Sequence, residues 1–222
     1  MEKQMRVRNN PKALGIIQQY DDIVLFRPEK HKGKWKEFMT WKNDSKPDVP
    51  IHAELGMGRG KFISTMGLLN KGIGFIGIDL RYEIILSALE KVLERELRNV
   101  LLLPYNILNL GDVFEISEVD CFYINFCDPW PKVRHSKRRL THRLFLEKYR
   151  TLLKDGGRVE FKTDSRELFD FSINEFRESG FEIVDLTYDL QSGNYPGNIT
   201  TEYEEKFINN GIKINRLEAV KR

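Results

Sequence analysis

Two cysteines, four histidines and no long apolar run narrow what this chain of 222 residues can be. Cys121 and Cys127 form no CxxC pair. Six residues apart along one expected strand, they are too far separated to bridge without a turn. Two reduced thiols in a cytosolic protein are the expectation. None of His31, His52, His135 and His142 stands at ligand spacing from these cysteines, so no metal site is expected. No apolar stretch reaches the roughly 20 residues of a membrane span. The charged N-terminus lacks the apolar core of a signal peptide. The chain is therefore expected to be cytoplasmic, with no membrane partner. Its length fits one domain, or one domain with an extension. The net charge of +3 is too small for the whole-molecule field to argue for a nucleic-acid partner. One region, however, lacks charge of one sign: no acidic residue occurs between Asp128 and Glu147.

What fills that gap is basic. The segment Phe126-Cys-Asp-Pro-Trp-Pro-Lys-Val-Arg-His-Ser-Lys-Arg-Arg-Leu140 puts Lys132, Arg134, Lys137, Arg138 and Arg139 after a single carboxylate, and Arg143 follows. Residues 1–45 are also distinct, with ten Lys and Arg among Tyr20, Trp35, Phe38 and Trp41. They read as a basic-aromatic extension, expected to be mobile without RNA and to fold over it. Residues 46–50 read as a linker, and 46–222 as the main domain.

From residue 51 strand and helix patterns alternate. Strands are expected at 51–55, 75–80, 100–105, 119–126, 158–162, 181–188 and 212–220. Helices are expected after the first glycine loop, at 82–97, at 142–154, up to 179 and from 201. This order implies an α/β, doubly wound, mainly parallel sheet with helices on both faces. In such sheets ligands bind outside the C-terminal strand ends. Glu54, Asp79, Asn106, Asp128 and Asp164 all fall there.

The loop Glu54-Leu-Gly56-Met-Gly58-Arg-Gly60 opens a helix after the first strand, but its third glycine comes one residue early for a dinucleotide fingerprint. Glu54 would also repel a pyrophosphate. A carboxylate beside a glycine loop suits a cationic ligand, and S-adenosylmethionine carries an ammonium and a sulfonium. Asp79 is positioned for two ribose hydroxyls, and Asn106 for an adenine edge. The bland alternative is a helix-packing turn with solvated acids. For Asp128 it is a capped turn before Pro129, and for residues 132–143 a solvated basic face. Trp130 reads slightly more as a packing residue than as a base-stacking platform. Thr201 and Glu204 have the spacing of a capping box, and Asp164 that of a helix cap.

Asp128-Pro-Trp-Pro-Lys132 followed by His135-Ser-Lys-Arg-Arg-Leu140, with the Glu54 to Gly60 loop, closely resembles the bacterial tRNA (guanine-N7)-methyltransferase family. The resemblance runs on through Phe161-Lys-Thr-Asp164 and Thr201-Glu-Tyr-Glu204 and covers the chain from residue 51. It implies a seven-stranded methyltransferase sheet with its last strand antiparallel, S-adenosylmethionine as methyl donor, and tRNA as substrate at the variable-loop guanosine (position 46 in standard tRNA numbering). Because methylation at guanine N7 leaves positive charge on the base, a nearby carboxylate is the expected catalytic group: Asp128 is the candidate, and either Asp128 or Asp164 would contact the guanine edge. Glu54, Gly56, Gly58, Gly60, Asp79, Asn106 and Asp128 would contact the donor. Lys132, Arg134, Lys137, Arg138, Arg139, Asp164, Thr201 and Glu204 would contact the RNA. Cys127 stands where that family commonly has proline, and Asn106 where it commonly has an acid. A homodimer is left open. The rival readings are an exocyclic-amine nucleic-acid methyltransferase, since Asp-Pro-Trp is loosely similar to a D-P-P-Y motif, and a non-catalytic RNA-binding protein. A nicotinamide-dependent oxidoreductase fits least.

Overall fold

A computed structural model describes residues 10–43, 48–193, 195 and 198–222. Its centre is a seven-stranded sheet in the order β3-β2-β1-β4-β5-β7-β6. The strands are β1 (Ile51–Leu55), β2 (Gly74–Asp79), β3 (Val100–Pro104), β4 (Val119–Asn125), β5 (Leu153–Thr163), β6 (Phe181–Thr187) and β7 (Asn215–Lys221). The pairs among β1 to β5 are parallel, and β7 runs antiparallel between β5 and β6. The helices are α1 (Ala13–Ile17), α2 (Trp35–Asn43), α3 (Lys61–Leu69), α4 (Tyr82–Glu94), α5 (Leu110–Val113), α6 (Arg143–Leu152), α7 (Arg166–Glu178) and α8 (Glu202–Asn209).

Alternation along the strands divides the core in two. Ile51, Ala53, Leu55, Phe122, Ile124, Val159 and Phe161 pack with α2, α5, α6 and α7. Phe75, Val100, Leu102, Cys121 and Tyr123 pack with α1, α3 and α4. Because successive side chains point to opposite faces, Glu54 and Asn125 share the second face, and Lys162 takes it from β5 beside Phe161. The position of the site follows from that parity.

Residues 10–43 depart from the expectation of a mobile extension. Trp35 and Met39 are fully buried in the core. The Leu25 amide donates to Leu102 O, and the Leu102 amide to Ile23 O, so this segment borders β3. Glu118 at the end of a loop accepts from the Gly33 and Trp35 amides, and the Trp35 indole donates to Val113 O at 2.8 Å. A segment rich in lysine is held because its aromatic residues find apolar partners and its amides find acceptors. The expected boundary at 45/46 and the first two linker positions, 46 and 47, lie outside the described residues.

Two further differences are local. Asp155-Gly-Gly157, between the expected helix to 154 and the expected strand from 158, form a bulge inside β5: Val119 pairs with Leu153 but Cys121 with Arg158, and Gly156 takes φ +76°. The α7 cap is Ser165, whose hydroxyl accepts from the Leu168 amide at 3.2 Å, rather than Asp164.

Candidate active site

The glycine loop after β1 is closed by its own backbone. The Gly56 and Met57 amides both donate to Ile78 O, and the Gly60 amide donates to Met57 O. Those amides are therefore unavailable to a phosphate, which agrees with the loop's departure from dinucleotide spacing. Gly56 and Gly58 have φ of +79° and +54° with open space where a Cβ would lie. Gly60 has a different reason for being glycine. A Cβ there would stand 2.5 Å from the Ala88 Cβ, so it serves the contact between α3 and α4.

A cleft of about 450 Å³ opens over this loop, within the size range of small-molecule sites. Its wall brings together Glu54, Gly58, Asp79, Asp128, Trp130 and Thr201 from distant stretches of the chain. Glu54 is 2% exposed. Its Oε1 accepts from the Asn125 amide at 3.0 Å, while Oε2 has no hydrogen-bond partner among the described residues. Burial pushes its carboxyl up to about 8, against the opposing effects of the Asn125 hydrogen bond and the Lys162 charge. An orphaned buried acceptor with a raised pKa suits a ligand that brings its own cationic donor. The ammonium of S-adenosylmethionine fits that requirement. Burial also raises Asp79, opposed by the backbone amides of Arg81, Leu80 and Gly58 that point at its carboxylate.

A second cavity adjoins the first at Gly56 and Asp79 and is lined mainly by apolar groups, including Leu80, Ile107, Leu108 and Leu140. It offers a flat base an apolar slot. Asn106 lines this cavity, but its side-chain oxygen accepts from the Leu108 amide at 3.0 Å, which leaves chiefly its NH2 group to meet a ligand.

The segment after β4 is strained at both ends. Phe126 and Trp130 have φ of +52° and +42°, a region that non-glycine residues seldom occupy. Between these two kinks lie Cys127, Asp128 and Pro129, so the backbone itself aims Asp128 into the cleft. The Cys127 thiol is pushed up to about 12 by burial, then by the charges of Asp128 and, more weakly, Asp164. Both carboxylates thus lie within electrostatic reach of one inert thiol. Asp164 is half-buried and does not line the cleft.

The basic series divides into two kinds of residue. Lys132, Arg134, Lys137 and Arg138 are at least partly exposed on a 3-10 turn, Val133–Arg138, and the residue before it. Arg138 lies 4.9 Å over the Trp130 ring, and His135 meets that ring edge-on. Trp130 is half-buried and lines both cavities, so it is a wall of the site as well as a packing group. Arg139 differs from the expected RNA contact. It is 4% exposed and donates to Pro129 O, Trp130 O and Glu167, with its guanidinium over Phe171. Its donors are directed inward, so it clamps the loop that carries Asp128. Arg143 is likewise paired with Glu175 at 2.7 Å and with Glu178.

Thr201 lines the cleft and caps α8, accepting from the Glu204 amide at 3.0 Å. Glu204 corrects the expectation of a direct RNA contact. Its side chain is 1% exposed and paired with Lys162 at 3.2 Å, so it holds α8 to β5. Sequence reasoning missed Lys162 and Asn125. Lys162 does carry a signal, as a lysine among Val159, Phe161 and Thr163 in a buried strand. Tyr203, stacked near Phe126 and exposed at the cleft mouth, was missed as well.

Residues 48–217 match a family described as putative methyltransferases. A tRNA (guanine-N(7)-)-methyltransferase of Geobacillus sp. (strain WCH70) is 44% identical over 215 residues, covering 97% of this chain and 95% of that protein. Its counterpart in Clostridium kluyveri is 49% identical over 192 residues, covering 86% of this chain and 88% of that protein. Among solved structures, an antibiotic-related methyltransferase superposes with a TM-score of 0.60 at 20% identity, covering 88% of this chain and 98% of that one. The 16S rRNA methyltransferase KamB superposes at 0.59 and 13% identity, covering 83% and 92%. These two show the fold. With full-length relatives at this identity, the chain belongs to the tRNA (guanine-N7)-methyltransferase family.

Proposed function

We propose that this protein transfers a methyl group from S-adenosylmethionine to N7 of the variable-loop guanosine of tRNA, with Asp128 as the catalytic carboxylate. The observation that carries the site assignment is the joint presence in one cleft of the orphaned Glu54 oxygen and Asp128 beside an exposed cationic turn. When bound, S-adenosylmethionine supplies an electrophilic methyl carbon on a sulfonium. Guanine N7 has an in-plane lone pair and no proton to lose, so the chain need provide no general base. The lone pair forms the N–C bond as the C–S bond breaks, and positive charge passes from sulfur to the base. A carboxylate beside the base gains interaction as that charge arrives, which favours the transition state over the ground state. In this reading Asp128, which lines the cleft, supplies that carboxylate. Glu54 receives the donor's ammonium and Asp79 its ribose. Among the described residues no helix is long and apolar enough to cross a membrane. The reading assigns the reaction to the cytoplasm, where tRNA is found.

The test uses methyl-labelled S-adenosylmethionine with two tRNA transcripts, one bearing guanosine 46 and one adenosine. Label confined to the first, with chemical strand cleavage at that base, is the expected result. Label without cleavage would assign another atom, and no label on either would overturn the assignment.

Lys132, Arg134, Lys137 and Arg138 are assigned to tRNA phosphates, which position an RNA without reading its sequence. Neutralising all four is expected to flatten the dependence of log affinity on log salt by about 0.7 to 0.9 for each phosphate that goes unpaired. Arg139→Ala is expected to lower the melting temperature and leave that slope unchanged. A filter-binding salt series and a thermal melt separate the two effects.

A further inference from the structure

From the cleft wall, where Glu54 and Asn125 lie, a row of buried polar side chains crosses the second face of the sheet at its C-terminal edge. Asn125 and Lys162 are register partners on β4 and β5. Asn125 donates to Glu54 on β1 at 3.0 Å. The Lys162 amine is buried, and its three donors meet Asn198 Oδ1 at 2.6 Å, Ile199 O at 3.0 Å and Glu204 Oε2 at 3.2 Å. Asn198 closes the far end by donating to Glu204 Oε1 at 2.8 Å. Phe62 of α3, which lines the cleft, lies 5.5 Å under the amine. Glu54 thus stands at one end of the row and the segment leading to Thr201 and α8 at the other.

A buried lysine is costly unless it is paired and hydrogen-bonded. Removing it would leave Glu204, the Asn198 side chain and a carbonyl without their partner. A surface ion pair could hold α8 at lower cost. What a buried amine adds is reach in two directions, since its charge acts on both Glu54 and Glu204.

We propose that Lys162 is a positioning residue that couples the methyl-donor pocket to the RNA-binding segment, so that donor and tRNA bind with positive cooperativity through the row Glu54–Asn125–Lys162–Glu204. The inference rests on the donor and tRNA assignment made above. Linkage requires the coupling to be reciprocal. Ionised Glu54, needed to receive an ammonium, favours a protonated Lys162, and protonated Lys162 holds Glu204 and the Thr201 segment in place. Among charged groups facing Glu54 are Asp79 from β2 and Lys162 from β5. Those facing Lys162 are Glu204 from α8, Glu160 from its own strand and Arg216 from β7.

The experiment measures S-adenosylhomocysteine binding from pH 6 to 9.5, with and without tRNA, for the wild type and Lys162→Met. Wild type is expected to bind more tightly as pH rises, with an inflection near the raised Glu54 value. Tightening by tRNA should reach about fivefold, the lower end of ordinary coupling. In Lys162→Met the inflection moves up, the tRNA effect disappears, and KM for tRNA rises more than kcat falls. Lys162→Arg, which keeps the charge, should hold the inflection. Asn125→Leu breaks the row without touching α8, and serves if Lys162→Met does not fold. It should lose the mutual tightening while keeping the affinity for tRNA alone. Weaker tRNA binding with an unmoved inflection would reduce Lys162 to a clamp on α8 and overturn the coupling. Failure of the wild type to bind S-adenosylhomocysteine at any pH would instead remove the donor assignment.

Discussion

Replacing Asp128 with asparagine is expected to lower kcat by about 100- to 1000-fold while changing tRNA affinity by less than about threefold. The size follows from charge. Two unit charges about 4 Å apart interact by about 4 kcal/mol at an effective dielectric near 20, an upper scale equal to roughly 1000-fold in rate. Asparagine keeps the shape and one acceptor oxygen but loses the negative charge that the methylated base would feel. Phe126 and Trp130, strained on either side, hold the residue's direction in both proteins. Single-turnover rates and filter binding measure the two quantities separately. Equal losses in both would show that Asp128 binds RNA rather than favouring the transition state.

The second large effect concerns Glu54. Glu54→Gln is expected to weaken S-adenosylhomocysteine binding by about 100-fold at pH 8.5, as a charge-assisted contact is replaced by a neutral one. The same variant should be more stable than the wild type. Glu54 holds its proton to about pH 8 when folded, against an ordinary value of 4.5. Its contribution to stability is therefore full below about pH 4.5 and is lost as pH rises through 8, because the unfolded chain ionises first. Glutamine cannot ionise, so it escapes that loss. The difference in melting temperature should be near zero at pH 4.5 and grow to the order of 10 °C at pH 8. Binding has the opposite pH dependence. At pH 6.5 the wild-type carboxyl must release a proton to receive an ammonium, so its affinity should fall about tenfold per pH unit below the inflection. The gap between the two proteins should narrow accordingly. Calorimetric titration across pH, with a thermal melt at each point, tests both signs; a variant less stable at pH 8 would contradict the raised carboxyl.

Asp128 and Glu54 differ in how much of their setting the sequence carries. Asp128 stands in a dense local pattern, a strand end followed by Pro-Trp-Pro and a basic run, and its place at the sheet edge follows from the alternation of strands and helices. Glu54 could be located by the same reasoning, but its missing partner could not. That depends on Asn125, 71 residues away, satisfying one oxygen and on no described residue satisfying the other. Asn106 shows the converse. Its position after β3 was legible, while its occupation by the Leu108 amide is a matter of local geometry that composition does not reveal.

Arg138 and Arg139 make the same point within two residues. Both are arginines in one basic run, yet one is exposed over Trp130 and the other is buried against Pro129, Trp130 and Glu167. Charge counting treats them alike. The turn at Val133–Arg138 directs them oppositely, and the acid that receives Arg139 lies 28 residues on, at the start of α7.

By itself the sequence determined the order of strands and helices, the edge where ligands gather, the unsuitability of the glycine loop for a pyrophosphate and the family motif around Asp128. Each of these depends on residues near one another in the chain, where periodicity, turn chemistry and charge act directly. Only the tertiary structure decided that Trp35 and Met39 enter the core, that Arg139 and Glu204 are internal braces, and that Lys162 ties α8 to β5. Those outcomes depend on whether a polar or aromatic group meets a partner from elsewhere in the chain. Lys162 and Glu204 are 42 residues apart, and burial of either is tolerable only because the fold brings them together.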